Sequence, residues 1–212
     1  MLILIQPSLG VAILMVLGFL GVLIASDFKK RYLLVGLGIF LILIPIFWSI
    51  LAPYQKLRIL TFIDPTKDPY GAGYNSLQSQ IAVGSGKILG RGLGKGVQTQ
   101  LSFLPERQTD FIFASISEEL GILGSAIVMF FLFFILFKLA SFTSGAINPT
   151  ARAYLAGLFL MLLSQIIIHI GMNMGLLPIT GVPLPLVSAG GSSLMGTVAG
   201  LAIALRARNN VR

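Results

Sequence analysis

Five stretches of the chain are apolar at nearly every position, and a long stretch between the second and third is not. The apolar runs cover about residues 9–26, 33–51, 111–139, 153–174 and 184–205. Each is rich in Leu, Ile, Val, Phe and Gly, and none alternates polar with apolar positions. Runs of this kind predict helices that cross a hydrocarbon core of about 30 Å, which takes roughly 20 apolar residues. A transmembrane barrel would show alternation instead. The expected fold is therefore all-α: a polytopic transmembrane helical bundle of about five spans, forming a single membrane domain over residues 1–212.

Residues 52–110 hold Pro, Gly, Gln and Ser and most of the aqueous charge, and are expected to form one long extracellular loop. The other connections are short. Lys29, Lys30 and Arg31 sit in the first, Lys138 and Arg152 bound the second, and 178–185 carries no charge. The tail holds Arg206, Arg208 and Arg212. Basic short loops belong in the cytoplasm. The C-terminus is then cytoplasmic, and 52–110 and 178–185 lie outside. Five spans with an inner tail place Met1 outside, as expected of a fragment or a shortened reading frame. The long segment is itself basic, with Lys56, Arg58, Lys67, Lys87, Arg91, Lys95 and Arg107 against Asp64, Asp68, Glu106 and Asp110. Cations gathered on an outer face fit an anionic ligand; a solvated loop that crossed regardless of charge is the alternative.

Composition agrees with a membrane chain. Hydrophobic residues make up 56% and charged residues 10%, against about 25% charged in soluble domains; mean hydropathy is +0.93. The net charge of +8 would indicate nucleic acid in a soluble chain. Here cytoplasmic Lys and Arg account for it, and no nucleic acid is expected. There is no cysteine, so no disulfide or cysteine metal site. Met1 leads straight into apolar sequence, so no cleavable signal peptide is expected.

Four segments could carry chemistry. Gly84–Gly96, GSGKILGRGLGKG, mixes glycines with Lys87, Arg91 and Lys95. Glycine backbones can cradle an anion, but neither GxxxxGK[ST] nor GxGxxG fits, which disfavours a nucleotide. Another diphosphate, or a re-entrant turn, remains open. In Phe103–Gly121, Asp110 stands where polar sequence meets the third span, and Glu118 and Glu119 follow two turns later. Carboxylates at membrane depth are costly and often functional. Asp110 reads either as a helix N-cap or as a base whose pKa is raised by burial or by Glu106, Glu118 or Glu119. Glu118 and Glu119 could instead hold helices together by pairing with Lys or Arg. His169 has Gln165 and Asn173 one turn away on each side, on one helix face. That pattern favours a helix–helix hydrogen-bond seam over catalysis. In Leu177–Leu194, prolines and Gly181 make a stiff turn, and Ser188, Gly190, Gly191, Ser192 and Ser193 thin the start of the last helix for packing or for a ligand chain.

Taken together, Asp68–Gly92, Gln100–Gly124 and Gly175–Leu194 resemble, in order and spacing, the SEDS family (shape, elongation, division and sporulation). QPSLG at Gln6–Gly10 is similar to the family's QPDLG. PERQTDFIFA and GVPLPLVS look more like the RodA branch than the FtsW branch, which usually carries a lysine where this chain has Thr180. The family has ten spans, and the five here correspond to roughly the last five. The resemblance implies polymerisation of lipid II into glycan strands on the outer face of the bacterial cytoplasmic membrane, for elongation and shape. The donor would be a glycan on undecaprenyl pyrophosphate, and transfer would invert the anomeric carbon. Asp110, in the TDF tripeptide, aligns with the family's essential aspartate, as general base or as holder of a hydroxyl with a divalent cation, Mg or Mn. No organic cofactor is implied. The implied substrate-side residues are Lys87, Arg91, Glu106, Arg107, Thr109, Gln78, Ser188, Gly190, Gly191 and Ser192, with Glu118 and Glu119 as supporting carboxylates. The implied partner is a class B penicillin-binding protein, a transpeptidase, docked on the third and fourth spans. Ser8, Ala189 and His169 depart from the family's usual Asp, Tyr and Asn. A lipid-precursor transporter and an inactive scaffold for the transpeptidase are the rival readings.

Overall fold

The computed structural model describes residues 9–26 and 29–208. Among these it contains eight α-helices and no β-strand. They are α1 (Leu9–Ala25), α2 (Lys30–Ile50), α3 (Pro53–Ile63), α4 (Ala72–Ser85), α5 (Val97–Gln100), α6 (Ile112–Gly145), α7 (Pro149–Asn173) and α8 (Gly191–Arg208), with a 3-10 turn at Pro65–Lys67. Arg31–Ile50, Ile112–Gly145 and Pro149–Asn173 are long and apolar enough to cross a membrane; Gly10–Ala25 and Gly191–Ala207 are shorter apolar helices. Each of the five expected runs thus holds a helix. Ser8 lies outside the described residues.

Local chemistry moves several boundaries. α7 starts at Pro149 rather than near 153, because Asn148 caps it by accepting from the Thr150 amide at 2.9 Å and proline suits the first helical position. α6 runs on to Gly145, and Thr143 and Ser144 return their hydroxyls to helix carbonyls in its last turn. α8 starts only at Gly191, not at 184. Pro183 and Pro185 have no N–H to give a helix, and Leu186 has φ +64°. The expected loop at 52–110 is largely helical. Gln55 Oε1 accepts from the Ala52 amide at 3.0 Å to start α3, and the Asp68 carboxylate accepts from the Ala72 amide at 2.7 Å to start α4.

The main core lies between α6, α7 and α8, where Leu132, Leu136, Leu155, Leu158, Leu162, Ile166 and Ala204 are buried. α1 packs on α7 backbone to backbone. A Cβ on Gly21 would stand 2.6 Å from the Ala156 oxygen, and one on Gly157 would stand 2.6 Å from Val22 Cγ2, the close approach small residues permit in lipid. α2 is largely exposed, and a Cβ on Gly36 or Gly38 would meet nothing within 4 Å. Arg152 Nε donates to the Ala25 carbonyl at 3.1 Å, tying the start of α7 to the end of α1. Tyr154 donates to the Gly200 carbonyl at 2.9 Å, so α8 returns antiparallel to α7. The basic connections therefore share one end of the bundle, and the start of α6 and the end of α7 share the other.

α6 is broken at Gly121, which has φ 67° and ψ −164°. A break at membrane depth leaves backbone groups that must find partners, at several kcal/mol each if they do not. The glycine-rich segment supplies them. Arg91 N and Gly92 N donate to the Glu118 and Glu119 carbonyls at 2.9 and 3.0 Å. Ile122 N and Leu123 N donate to the Lys87 and Ile88 carbonyls at 2.9 and 3.2 Å. A Cβ on Gly86 or Gly90 would run into the Ser117 or Glu119 carbonyl. These glycines are where two backbones touch.

Candidate active site around Asp110

The site is built on a tight turn before α6. Glu106 has φ +50°, and its carbonyl accepts from the Thr109 and Phe111 amides at 3.1 and 3.2 Å. Thr109 Oγ1 donates to Glu106 Oε2 at 2.9 Å. Phe111, not Asp110, stands at the N-cap of α6, and no side chain of its own caps the helix. Asn173, fully buried at the end of α7, does so from outside. Its Oδ1 accepts from the Ala114 amide at 3.1 Å, and its Nδ2 donates to the Asp110 carbonyl at 3.0 Å and the His169 carbonyl at 2.8 Å. The N-cap reading of Asp110 does not hold: its carboxylate has no hydrogen-bond partner among the described residues.

A strap of residues 180–189 crosses beside that carboxylate. Gly181 has φ +69°, and a Cβ there would stand 3.5 Å from Asp110 Oδ2. On one side α7 holds the strap: Gln165 Nε2 donates to the Pro183 carbonyl at 2.8 Å, and His169 Nδ1 to the Val182 carbonyl at 2.7 Å. On the other side the strap holds the Asp110 turn. Ser188 Oγ donates to the Thr109 carbonyl and the Ala189 amide to the Gln108 carbonyl, both at 2.8 Å. Leu184 N in turn donates to Ser188 Oγ at 2.7 Å. Gly10 of α1 also packs here, 2.9 Å from the Thr180 oxygen to its would-be Cβ. The polar face Gln165, His169 and Asn173 is thus a seam that joins α7 to the strap through Gln165 and His169, and to α6 and α4 through the Ala114 amide and the Ser79 hydroxyl at Asn173.

Burial first, then the neighbouring Glu106 carboxylate, hold the Asp110 carboxyl above its ordinary value, while Arg58 pulls it down. Arg58 is the cation sequence reading did not single out. α3 brings it across from far up the chain, where it lines a narrow crevice with Thr61, Ser76 and Pro178. Only its place in a basic segment marked it.

The structure gathers Asp110, Glu106, Thr109 and Ser188, with Gly190, Gly191 and Ser192 following at the exposed start of α8. Other expected site residues are engaged elsewhere. Glu118 is fully buried, about 12 Å along α6 from Asp110. It accepts from the Gln98 and Thr99 amides at 2.9 and 3.0 Å and from Thr99 Oγ1 at 2.6 Å, with Arg91 Nε at 3.9 Å. Glu119 accepts from Gln100 Nε2 at 3.0 Å. Both carboxylates tie α5 to α6, and neither contributes to the raised Asp110 carboxyl. Arg107 donates to the Thr99 carbonyl. Lys87 and Arg91 line an open cavity of about 490 Å³ over the glycine segment rather than at Asp110. Gln78 is half-buried on α4, without a side-chain hydrogen bond among the described residues. No three His, Asp or Glu of the described residues cluster as a metal site.

Fold and site together define a class: a polytopic helical membrane protein that holds a half-buried carboxylate, unpaired among the described residues, where two spans and a proline-rich strap meet. The chain belongs to the FtsW/RodA/SpoVE family of cell cycle proteins, whose model matches residues 1–212. It is 43% identical over 203 residues to the peptidoglycan glycosyltransferase MrdB of Escherichia coli (strain K12), covering 94% of this chain and 54% of that protein. It is 40% identical over 199 residues to the probable peptidoglycan glycosyltransferase FtsW of Buchnera aphidicola subsp. Baizongia pistaciae (strain Bp), covering 92% and 51%. A solved peptidoglycan synthase complex that coordinates polymerization and crosslinking contains a chain similar at TM-score 0.80 and 32% identity, covering 99% of this chain and 58% of that one. A mutant of the rod shape determining protein RodA of Thermus thermophilus matches at TM-score 0.63 and 26% identity, covering 99% and 53%. The chain spans about half the length of the curated relatives it matches.

Proposed function

We propose that this protein works as a peptidoglycan glycosyltransferase, polymerising lipid II into glycan strands at the outer face of the bacterial cytoplasmic membrane, for elongation and cell shape. The observation that carries this is the Asp110 carboxylate: half-buried, without a hydrogen-bond partner among the described residues, and more basic than an ordinary aspartate. A base must be near its acceptor and retain some appetite for a proton. In the reaction, Asp110 takes the proton of the acceptor sugar's 4-hydroxyl. That oxygen bonds to the anomeric carbon of the donor glycan from the face opposite the leaving group. The anomeric C–O bond breaks, its electron pair departs with the undecaprenyl diphosphate, and configuration inverts.

Arg58 supplies positive charge beside Asp110 for the diphosphate. Ser188 and Thr109 act on the backbone of the turn, and the small residues Gly190, Gly191 and Ser192 leave room for a lipid-linked chain. Asp110 and Glu106 are oxygen donors, the type a hard cation prefers, and Mg or Mn commonly binds through one or two carboxylates plus substrate phosphates. Such a cation would screen the leaving diphosphate. The basic connections, gathered at the end opposite Asp110, support an inner-membrane orientation with the C-terminus in the cytoplasm. A class B penicillin-binding protein fits the exposed aromatic face of α6, with Phe130, Phe134 and Phe137, and the neighbouring α7.

The test is lipid II polymerisation in detergent by the complete protein and by its Asp110→Ala variant, with folding followed by thermal melting. Wild type is expected to make glycan and the variant none while still melting cooperatively. Equal product from the two proteins overturns the reading.

A further inference from the structure

Three side chains on one face of α7, at i, i+4 and i+8, hold both sides of the Asp110 carboxylate. Asn173 holds the Asp110 backbone. Gln165 and His169 hold the strap whose Gly181 lies against Oδ2. Of the two strap contacts, His169 grips Val182, the residue directly after Gly181, and Val182 is fully buried.

His169 has a feature that simple packing does not explain. The Val182 carbonyl can only accept, so Nδ1 is the donor and carries the hydrogen. Nε2 is then a bare lone pair, fully buried, with no hydrogen-bond partner among the described residues. A buried unsatisfied polar atom carries a free-energy cost. An aliphatic side chain would avoid that cost, so the contact at Nδ1 is the useful part of the ring. The ring is rigid beyond χ2, so it fixes the height of the Val182 carbonyl above α7. It thereby fixes the distance of the Gly181 backbone from Asp110.

We propose that His169 is a positioning residue for the glycosyl transfer: its Nδ1 bond to Val182 sets the Gly181 backbone as the wall against which the Asp110 carboxylate meets the acceptor hydroxyl. This rests on the proposed function of Asp110. Misplacing a reacting group by about 1 Å costs up to a hundredfold in rate, so a modest shift of the strap is enough to be seen. The wall also keeps water off the carboxylate. The charged groups facing Asp110 are Arg58 from α3 and Glu106 from its own turn. The strap brings no charged residue, and α7 offers only Gln165, His169 and Asn173 on this face. Loosening the strap therefore changes hydration and leaves the local charges in place.

Two amides separate this role from general packing. Asn places a side-chain nitrogen where Nδ1 stands, and Gln places one near Nε2. The complete protein is assayed for lipid II polymerisation as wild type, His169→Asn, His169→Gln and His169→Leu. The expected result is that His169→Asn stays within about threefold of wild type. His169→Gln and His169→Leu lose about tenfold or more in kcat, with little change in KM, as expected when orientation and not binding is lost. Their acid limb moves to lower pH, and amide exchange quickens at Gly181–Leu184 but not along α7. Asn and Gln variants of equal kcat, or a loss confined to KM, overturn the proposal, and slow exchange at the strap in an inactive Gln variant does so too. A wild-type protein that makes no glycan overturns the functional reading itself. Active wild type with matching Asn and Gln variants overturns only the role of His169.

Discussion

Asn173 and Asp110 meet through the backbone of one and the side chain of the other: Asn173 Nδ2 lies 3.0 Å from the Asp110 carbonyl oxygen, and Asn173 Oδ1 lies 3.1 Å from the Ala114 amide. A helix start has donors that need an acceptor. A residue on another helix provides it here, so the aspartate beside the helix start keeps its own carboxylate for other work.

Replacing Asn173 tests that division of labour. Asn173→Asp keeps the acceptor for Ala114 but turns the donor into a second carboxylate oxygen, facing the Asp110 and His169 carbonyls. Burying that charge with one oxygen set against two carbonyls is expected to cost about 3 kcal/mol or more. Asn173→Ala loses the hydrogen bonds without adding charge and costs about 2 kcal/mol. Thermal melting in detergent is expected to rank wild type above Asn173→Ala, and Asn173→Ala above Asn173→Asp at neutral pH. An aspartate variant as stable as wild type contradicts the geometry.

The pH dependence of the reaction carries a sign at each neighbour. As the proposed base, Asp110 acts only when ionised, so its pKa sets the acid limb of the rate. Glu106 raises that pKa and Arg58 lowers it. Glu106→Gln is expected to move the acid limb to lower pH, and Arg58→Gln to higher pH. Initial polymerisation rates from about pH 5 to 8 measure both shifts, and shifts of the same sign would contradict the assignment.

Stability follows the opposite logic to activity. Below the ordinary aspartate value of 3.8, the group is protonated in both folded and unfolded chains. As pH rises through that value, the unfolded chain releases its proton before the folded one does. Folding stability therefore falls until the raised folded-state pKa is passed, and the full penalty is present at neutral pH. Asp110→Asn is expected to abolish polymerisation and yet melt higher than wild type near pH 7, by about 1–4 °C. The difference closes as pH falls toward 3.8. A lower melting temperature at pH 7 counts against a desolvated carboxylate.

Much of this architecture was readable because lipid leaves a backbone so few choices. Continuous apolar runs gave five helices. The TDF tripeptide and the polar-to-apolar edge marked Asp110. Arg58 was missed because its influence on Asp110 depends on where α3 lies in the folded chain, which no local spacing records. Asn173 was noticed only as a neighbour of His169, since a cap supplied from another helix leaves no signal beside the helix it caps. Lys87 and Arg91 looked like diphosphate ligands because glycine loops with cations often are. Their backbones serve the break in α6, which was hidden inside a run that reads as one uninterrupted span, and their side chains line a cavity away from Asp110.

Two glycines near that break are expected to respond to the same substitution in opposite directions. Gly121, at φ 67° and ψ −164°, occupies a region of backbone space open essentially to glycine alone. A Cβ there would also stand 2.5 Å from the Ile88 carbonyl oxygen. Alanine at 121 must either hold a strained conformation at about 1–3 kcal/mol or let α6 straighten. Straightening strands the amides of Arg91 and Gly92, which now donate to Glu118 and Glu119. Either way the 87–92 segment comes loose, freeing the backbone at the already exposed Lys87 and Arg91 for trypsin. Gly84 sits in α4 with nothing within 4 Å of a would-be Cβ, so alanine there only reduces the freedom of the unfolded chain and favours helix by about 0.5–1 kcal/mol. Gly121→Ala is expected to melt well below wild type and to be cut by trypsin at Lys87 or Arg91, and Gly84→Ala to melt slightly above it and resist cutting. If both variants behave like wild type, the glycine segment is not what holds the broken helix together.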